Sequence, residues 1–208
     1  MPIVRVGLPS VRKLSTQSIA TFKALDNYDK TKIDFRICKV TGTHCMRARN
    51  ISSQAVPTDS MAPVSQKLPY DFYLSTDDDM AFTPQAVERL IALNLDIVGA
   101  SYMTRSGPDA HLIVACPLDK RNKNDWFKVW DRGLQEARWI GGGCMLIRKN
   151  VFESMQYPWW RNNTIFEEIE GVQYGDIQTE DLSFCEDARK AGFRVFIDLD
   201  NRIAHIPS

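Results

Sequence analysis

Three consecutive carboxylates, Asp77-Asp78-Asp79, follow the apolar run Phe72-Tyr73-Leu74 and precede Met80-Ala81-Phe82. Adjacent carboxylates repel one another, so such a run at the end of a strand calls for a cation or for solvent. A hard divalent ion takes carboxylate oxygens and leaves positions for substrate phosphates. The triplet therefore points to Mn²⁺ or Mg²⁺ holding a diphosphate. A solvated acidic turn is the alternative, and the apolar residues on both sides argue against it. Glu180-Asp181 stand at a predicted helix start, where carboxylates gain from the helix dipole and free N–H groups. Either they only stabilise that start, or one is a general base or orients a hydroxyl. His205, as a neutral imidazole, can complete a metal site; a structural or solvent-facing histidine is the alternative. His44 and His111 have no comparable context.

Two further groups can contact a ligand. Gly141-Gly142-Gly143 lack the Lys and Ser/Thr of a phosphate-cradling P-loop, and no G-x-G-x-x-G pattern occurs. The glycines read better as a wall for a sugar ring, with Trp139 beside them. Arg49, between Arg47 and Asn50, can neutralise a pyrophosphate or contact a base. A surface arginine is the plainer alternative.

These residues need elements to position them. Ile3 to Leu8 is a short apolar run broken by Pro9-Ser10, which predicts a buried first strand. Ile19, Phe22 and Leu25 predict a helix over 16–27. Alternation through Ile33, Phe35 and Ile37 predicts a second strand. Ala48 to Val56 reads as a helix stopped by Pro57. Asp71 to Leu74 predicts a third strand ending at the triplet. Thr83-Pro84 opens a helix with Val87, Leu90 and Ile91 on one side. Asp96 to Ala100 is a fourth strand. This alternation predicts a parallel sheet with helices on its faces, binding ligands at the C-terminal strand ends.

The second half changes character. His111 to Cys116 and Trp126 to Trp130 predict an antiparallel excursion. The apolar run Cys144 to Ile147 follows the glycines, and Lys149 to Met155 reads as a short helix. Residues 157–178 show no clear period and predict a long loop. Thr179 caps a helix through about Ala191, stopped by Gly192. Phe193, Val195 and Ile197 predict a last strand.

Composition narrows the function classes. The 208 residues suit one domain or two small lobes. Lys+Arg and Asp+Glu both count 26, so no global charge draws the chain to nucleic acid or acidic membranes. Phosphate recognition must then be local. The five cysteines are an odd number with no zinc-site spacing, which suggests free thiols in a reducing compartment. No apolar run approaches a membrane span, and no signal peptide is visible. All five Trp fall in the second half, from Trp126 to Trp160. Core packing explains most tryptophans, but the clustering also suits a carbohydrate-stacking surface.

The pieces, in this order, resemble the glycosyltransferases of the GT-A fold over nearly the whole chain. Leu8-Pro9-Ser10 and Ala48-Arg49-Asn50 look like the family's two nucleotide-contacting loops. Leu74 to Met80 looks like its DxD segment, and Trp139 to Ile147 its glycine-containing donor and acceptor strand. Thr179-Glu180-Asp181 resembles its acidic helix start, and His205-Ile206-Pro207 its C-terminal metal segment. The resemblance implies one domain, 1–208, with a nucleotide-binding half (1–100) and an acceptor and metal half (101–208), cut from a longer chain. It implies Asp79, His205 and Asp77 as metal ligands. Pro9, Ser10, Arg12, Arg49, Asp77, Asp78, Gly142 and Gly143 would contact the nucleotide-sugar, with Arg105 adding charge near the diphosphate. Asp181 and Glu180 would be catalytic, Asp181 as base if configuration inverts. The chain departs from the pattern at Val40-Thr41-Gly42-Thr43, where the family often has a base-contacting aspartate.

The implied activity is transfer of a hexosyl group from a UDP-linked donor to a glycan or glycoprotein hydroxyl, with Mn²⁺ or Mg²⁺ as cofactor. Among family members the chain looks most like transferase domains of chlorella-virus proteins that glycosylate the viral capsid. That likeness implies a capsid-protein acceptor and work in the cytoplasm of an infected cell. Two other classes stay open. A sugar-nucleotide nucleotidyltransferase would carry glycines in the basic loop after the first strand, which here reads Leu8-Pro9-Ser10-Val11-Arg12-Lys13. A non-catalytic glycan-binding module would not need the triplet, Glu180-Asp181 and His205 together.

Overall fold

The computed structural model describes residues 1–10, 14–54, 67–104, 110–120, 125–169 and 172–206. Arg12, Val56, Pro57, Arg105 and Pro207, singled out above, lie outside the described residues.

The first half alternates strand and helix as the spacing predicts. It contains β1 (Ile3–Ser10), α1 (Thr16–Asp26), β2 (Asp34–Thr41), α2 (Cys45–Gln54), β3 (Phe72–Thr76), β4 (Met80–Ala81), α3 (Pro84–Ala92) and β5 (Ile97–Ser101). The second half adds β6 (Ala115–Pro117), β7 (Leu134–Ile140), β8 (Cys144–Arg148), α4 (Lys149–Ser154), β9 (Thr164–Ile169) and β10 (Val172–Ile177). It closes with α5 (Glu180–Lys190), β11 (Val195–Arg202) and β12 (Ala204–His205). No helix among the described residues is long and apolar enough to cross a membrane.

Eight strands form one sheet in the order β2-β1-β3-β8-β5-β11-β7-β6. β2, β1 and β3 are parallel, and so are β5 and β11. β8 runs antiparallel between β3 and β5 and joins the two parallel groups. β7 and β6 extend the far edge in antiparallel pairs. The sheet is thus mixed and mainly parallel, flanked by helices.

Strand side chains alternate between two apolar layers, as the two-residue period requires. Tyr73, Ile97, Met145 and Ile147 join one layer with Phe152 of α4 and Phe184 of α5. Phe72, Leu74, Val98 and Leu146 join the other with Phe22 of α1 and Leu90 of α3. α1 starts at Ser15, whose hydroxyl accepts from the Ser18 N–H at 3.0 Å. α2 differs from the others: it buries Arg49, Asn50, Ser52 and Ser53 rather than an apolar stripe. Gly7 of β1 makes room beneath it, because a Cβ there would lie 1.9 Å from the Tyr73 hydroxyl. That hydroxyl instead meets Ser52 Oγ at 2.7 Å.

One expectation changes. Residues 157–178 are not a long loop, since 164–177 form an antiparallel hairpin. Its strands pair only with each other, and Phe166 and Ile177 stay 65% and 66% exposed. The antiparallel excursion around 111–130 is present: the Ile113 N–H donates to the Phe127 carbonyl at 2.7 Å and the Val129 N–H to the His111 carbonyl at 3.0 Å, with Leu112 bridged antiparallel to Lys128. β8, the apolar run after the glycines, sits at the centre of the sheet.

Candidate active site

The acidic triplet leaves the C-terminal end of β3 and turns directly into β4. β4 pairs antiparallel with β12, with His205 opposite Met80. The Ile206 N–H also donates to the Asp79 carbonyl at 2.7 Å. This small ladder carries His205 to the triplet from the other end of the chain. Its Nε2 lies 3.5 Å from Asp79 Oδ1. Its Nδ1 is 3.0 Å from the Met103 carbonyl, which can only accept, so Nδ1 carries the proton. Nε2 is thus the ring nitrogen turned toward the carboxylate oxygen. A carboxylate and an imidazole so placed suit Mn²⁺ or a similar divalent ion. Among the described residues no three His, Cys, Asp or Glu side chains converge on one point. Asp79 and His205 would therefore hold a cation together with oxygens of a bound diphosphate, as hard cations commonly allow.

Facing the triplet is the first turn of α5. Asp181 accepts from the Leu182 N–H at 3.0 Å and from the Thr179 hydroxyl, and its Oδ2 accepts from the Gly142 N–H at 3.1 Å. Glu180 Oε1 accepts from Arg49 Nη1 at 2.8 Å. Arg49 Nη2 reaches Asp77 Oδ1 at 2.5 Å, so one guanidinium bridges the two acidic segments. Arg49 is 2% exposed, which excludes the surface-arginine reading. Burial alone would lower its pKa; Asp77, Glu180 and Asp181 reverse that and hold it well above the ordinary value. Burial raises the Asp77 carboxyl, against the pull of Arg49 and with a push from Asp79. Its side chain nevertheless keeps 34% of its surface open toward the cavity. Burial raises the Cys45 thiol to about 12, and a hydrogen bond with Glu180 pushes the same way.

Between these acidic segments lies a cavity of about 550 Å³. Pro9, Arg49, Asp77, Asp78, Asp79, Glu180 and Asp181 line it, as do Cys45 and Thr179. Val114, Trp126, Trp139 and Leu182 give it an apolar side. Trp126 and Trp139 meet edge to face with centroids 4.7 Å apart. The arrangement places a carboxylate-rich wall opposite an aromatic one. The first suits a metal and phosphates, and the second suits the C–H face of a sugar ring.

Most residues singled out from the sequence meet here, with three differences. Ser10 is buried at the end of β1 and is not among the lining residues. Gly142 and Gly143 do not form a sugar wall, because other side chains fill the space above them. A Cβ on Gly142 would lie 2.4 Å from Arg49 Nη1, and one on Gly143 2.9 Å from the Tyr102 ring. The Gly143 N–H donates to the Tyr102 hydroxyl at 3.0 Å. Arg49 turns toward carboxylates of its own chain. Cys45 was missed, although it sits four residues before Arg49 on α2, a spacing that shares one helix face. Tyr102, Val114 and Leu182 carry no sequence signal beyond being apolar or aromatic.

No protein-family model matches this chain, and no curated protein matches it by sequence. Solved structures do. A197 from STIV superposes with a TM-score of 0.58 at 15% identity, covering 100% of this chain and 95% of that one. GalNAc-T7, solved with UDP, GalNAc and Mn²⁺, superposes with a TM-score of 0.58 at 11% identity. That match covers 99% of this chain and 44% of the GalNAc-T7 chain. The chain therefore shares the mixed α/β, GT-A-like fold of these structures.

Proposed function

We propose that this chain is a metal-dependent glycosyltransferase that moves a hexosyl group from a nucleoside diphosphate sugar, UDP-linked, to a hydroxyl of a glycan or glycoprotein. The observation that carries the reading is the meeting of Asp79 and His205 at the rim of a cavity with carboxylates on one wall and indoles on the other. Residues 1–100 supply the nucleotide side, through Pro9, Arg12 and the triplet. Residues 101–208 supply the acceptor and metal side. A divalent cation, when bound, acts as a Lewis acid that offsets charge growing on the leaving diphosphate. Asp79 and His205 would hold it, with Asp77 beside them on the same segment, and Asp78 would face the donor. Trp126 and Trp139 pack on the sugar. Asp181, fixed by Gly142 and Leu182, accepts the acceptor's proton in an inverting reaction and orients the hydroxyl in a retaining one. Glu180 assists from the same turn. The finer reading, a viral capsid glycoprotein modified in the cytoplasm of an infected cell, rests on the resemblance of the short motifs alone; assays on capsid protein test it.

The test is a donor screen by thermal shift and calorimetry with UDP, GDP and their sugars, with and without Mn²⁺. The expected result is Mn²⁺-dependent stabilisation by UDP, lost in Asp79→Ala and reduced about tenfold or more in affinity in His205→Ala. Stabilisation by no nucleotide, or Asp79→Ala turning over at the native rate, would overturn the assignment.

A further inference from the structure

A buried arginine that already spends both terminal nitrogens on its own chain is poorly placed to receive a diphosphate. Arg49 Nη1 is committed to Glu180 and Nη2 to Asp77. The guanidinium lies flat on the backbone of Gly142: a Cβ there would stand 2.4, 2.6 and 2.6 Å from Nη1, Cζ and Nη2. The Trp160 ring centroid is 5.3 Å from Cζ, a cation–π contact. Asn50 fixes that indole's backbone, donating to the Trp160 carbonyl at 2.6 Å and accepting from its N–H at 3.1 Å. Gly142 is held in turn: Ser75 Oγ of β3 donates to its carbonyl at 2.8 Å. The Gly142 N–H itself donates to Asp181. One arginine and one glycine thus fix three carboxylates that come from two distant segments.

We propose that Arg49, seated on Gly142, is a positioning residue that sets the distance between the two acidic segments of the cavity, Asp77 on one side and Glu180 with Asp181 on the other. The chemical role of those carboxylates rests on the function proposed above, whereas the positioning does not. A planar fork with two parallel donors can bridge two carboxylates, and an ammonium cannot reproduce that span. Any side chain at 142 must move the guanidinium, because the space it needs is taken.

The test compares Arg49→Lys and Gly142→Ala with the native chain in two readouts. In steady-state turnover, both variants are expected to lose about tenfold or more in kcat with nucleotide-sugar KM within about threefold, as for a loss of orientation. Combining Arg49→Lys with Glu180→Gln should then cost clearly less than the product of the single losses. In amide hydrogen exchange by mass spectrometry, peptides spanning 77–79 and 179–182 should exchange faster in both variants, with β1 and β5 unchanged. A raised KM with kcat unchanged and exchange unchanged would overturn the proposal and make Arg49 a phosphate contact. Native kcat with native exchange would overturn it outright. If the native chain neither binds nor turns over any nucleotide-sugar, the functional reading fails, and the exchange experiment alone decides the positioning. Gly142→Ala keeps the test open should Arg49→Lys fold poorly, since it displaces the guanidinium without replacing it.

Discussion

Cys45 lies one helical turn before Arg49, and its thiol lines the same cavity. An exposed thiol in a binding site is ordinarily the first group an alkylating agent finds. Here burial holds the proton, with a pKa raised to about 12 from 9.0. The thiolate fraction at neutral pH falls by about three powers of ten relative to an ordinary cysteine. Cys45 is therefore expected to react with iodoacetamide at pH 7.5 far more slowly than free glutathione, as mass spectrometry of the modified peptide can follow. A rate equal to that of glutathione would mean that the thiol is not enclosed as described. The residue scale is also where sequence reasoning reached furthest. Asp79, His205, Glu180 and Asp181 declare themselves by type and setting. Arg49 does not, because its value depends on the carboxylates it faces, and those lie far away in sequence.

At the scale of elements, two ion pairs anchor what the sheet leaves loose. Arg89 of α3 grips Asp198 of β11 through two bonds, at 2.6 and 3.0 Å. Asp198 is 1% exposed, so Arg89→Met strands a buried carboxylate. Because the Arg89 side chain is 51% exposed, the expected loss in urea unfolding is about 1–2 kcal/mol, between that of an exposed and that of a buried pair. Asp187 of α5 accepts from Arg161 at 2.8 Å and from Asn163 at 3.2 Å, tying the segment before the hairpin to the helix. Burial alone would raise its carboxyl, but the bonds from Asn163, Arg161 and Lys190 outweigh it and hold the pKa below the ordinary 3.8. A depressed carboxylate contributes stability that is full above the unfolded pKa and is lost as pH falls through the folded one. Asp187→Asn should thus lower Tm at pH 7 and flatten the decline below about pH 4. An unchanged acid limb would show that the tie carries no weight. The legibility of elements follows the same physics. α1 and α3 each bury one face, so periodicity reveals them. α2 buries polar side chains, and its first turn from Cys45 to Arg47 escaped notice. β8 is buried at four of its five positions, so its apolar run reads the same whichever way it points.

At the scale of the whole molecule, the cavity sits where strands of both halves end. The triplet extends from β3 and Pro9 from β1, while α5 and β12 bring Glu180, Asp181 and His205 to the same mouth. None of these segments neighbours another in sequence, yet the sheet order makes them neighbours in space. The insertion of β8 between β3 and β5 has a consequence for how the chain is made. A ribosome releases residues 72–101 well before residues 144–148 emerge. Until then β3 and β5 have no strand to join them, and their inner edges stand open. Folding of the sheet must wait for its centre to be synthesised. A chain stopped at residue 143 should show no cooperative thermal transition and should be cleaved by protease throughout, whereas one extended through residue 206 should resist. A protease-resistant 1–143 fragment would mean that the parallel strands close without their central partner.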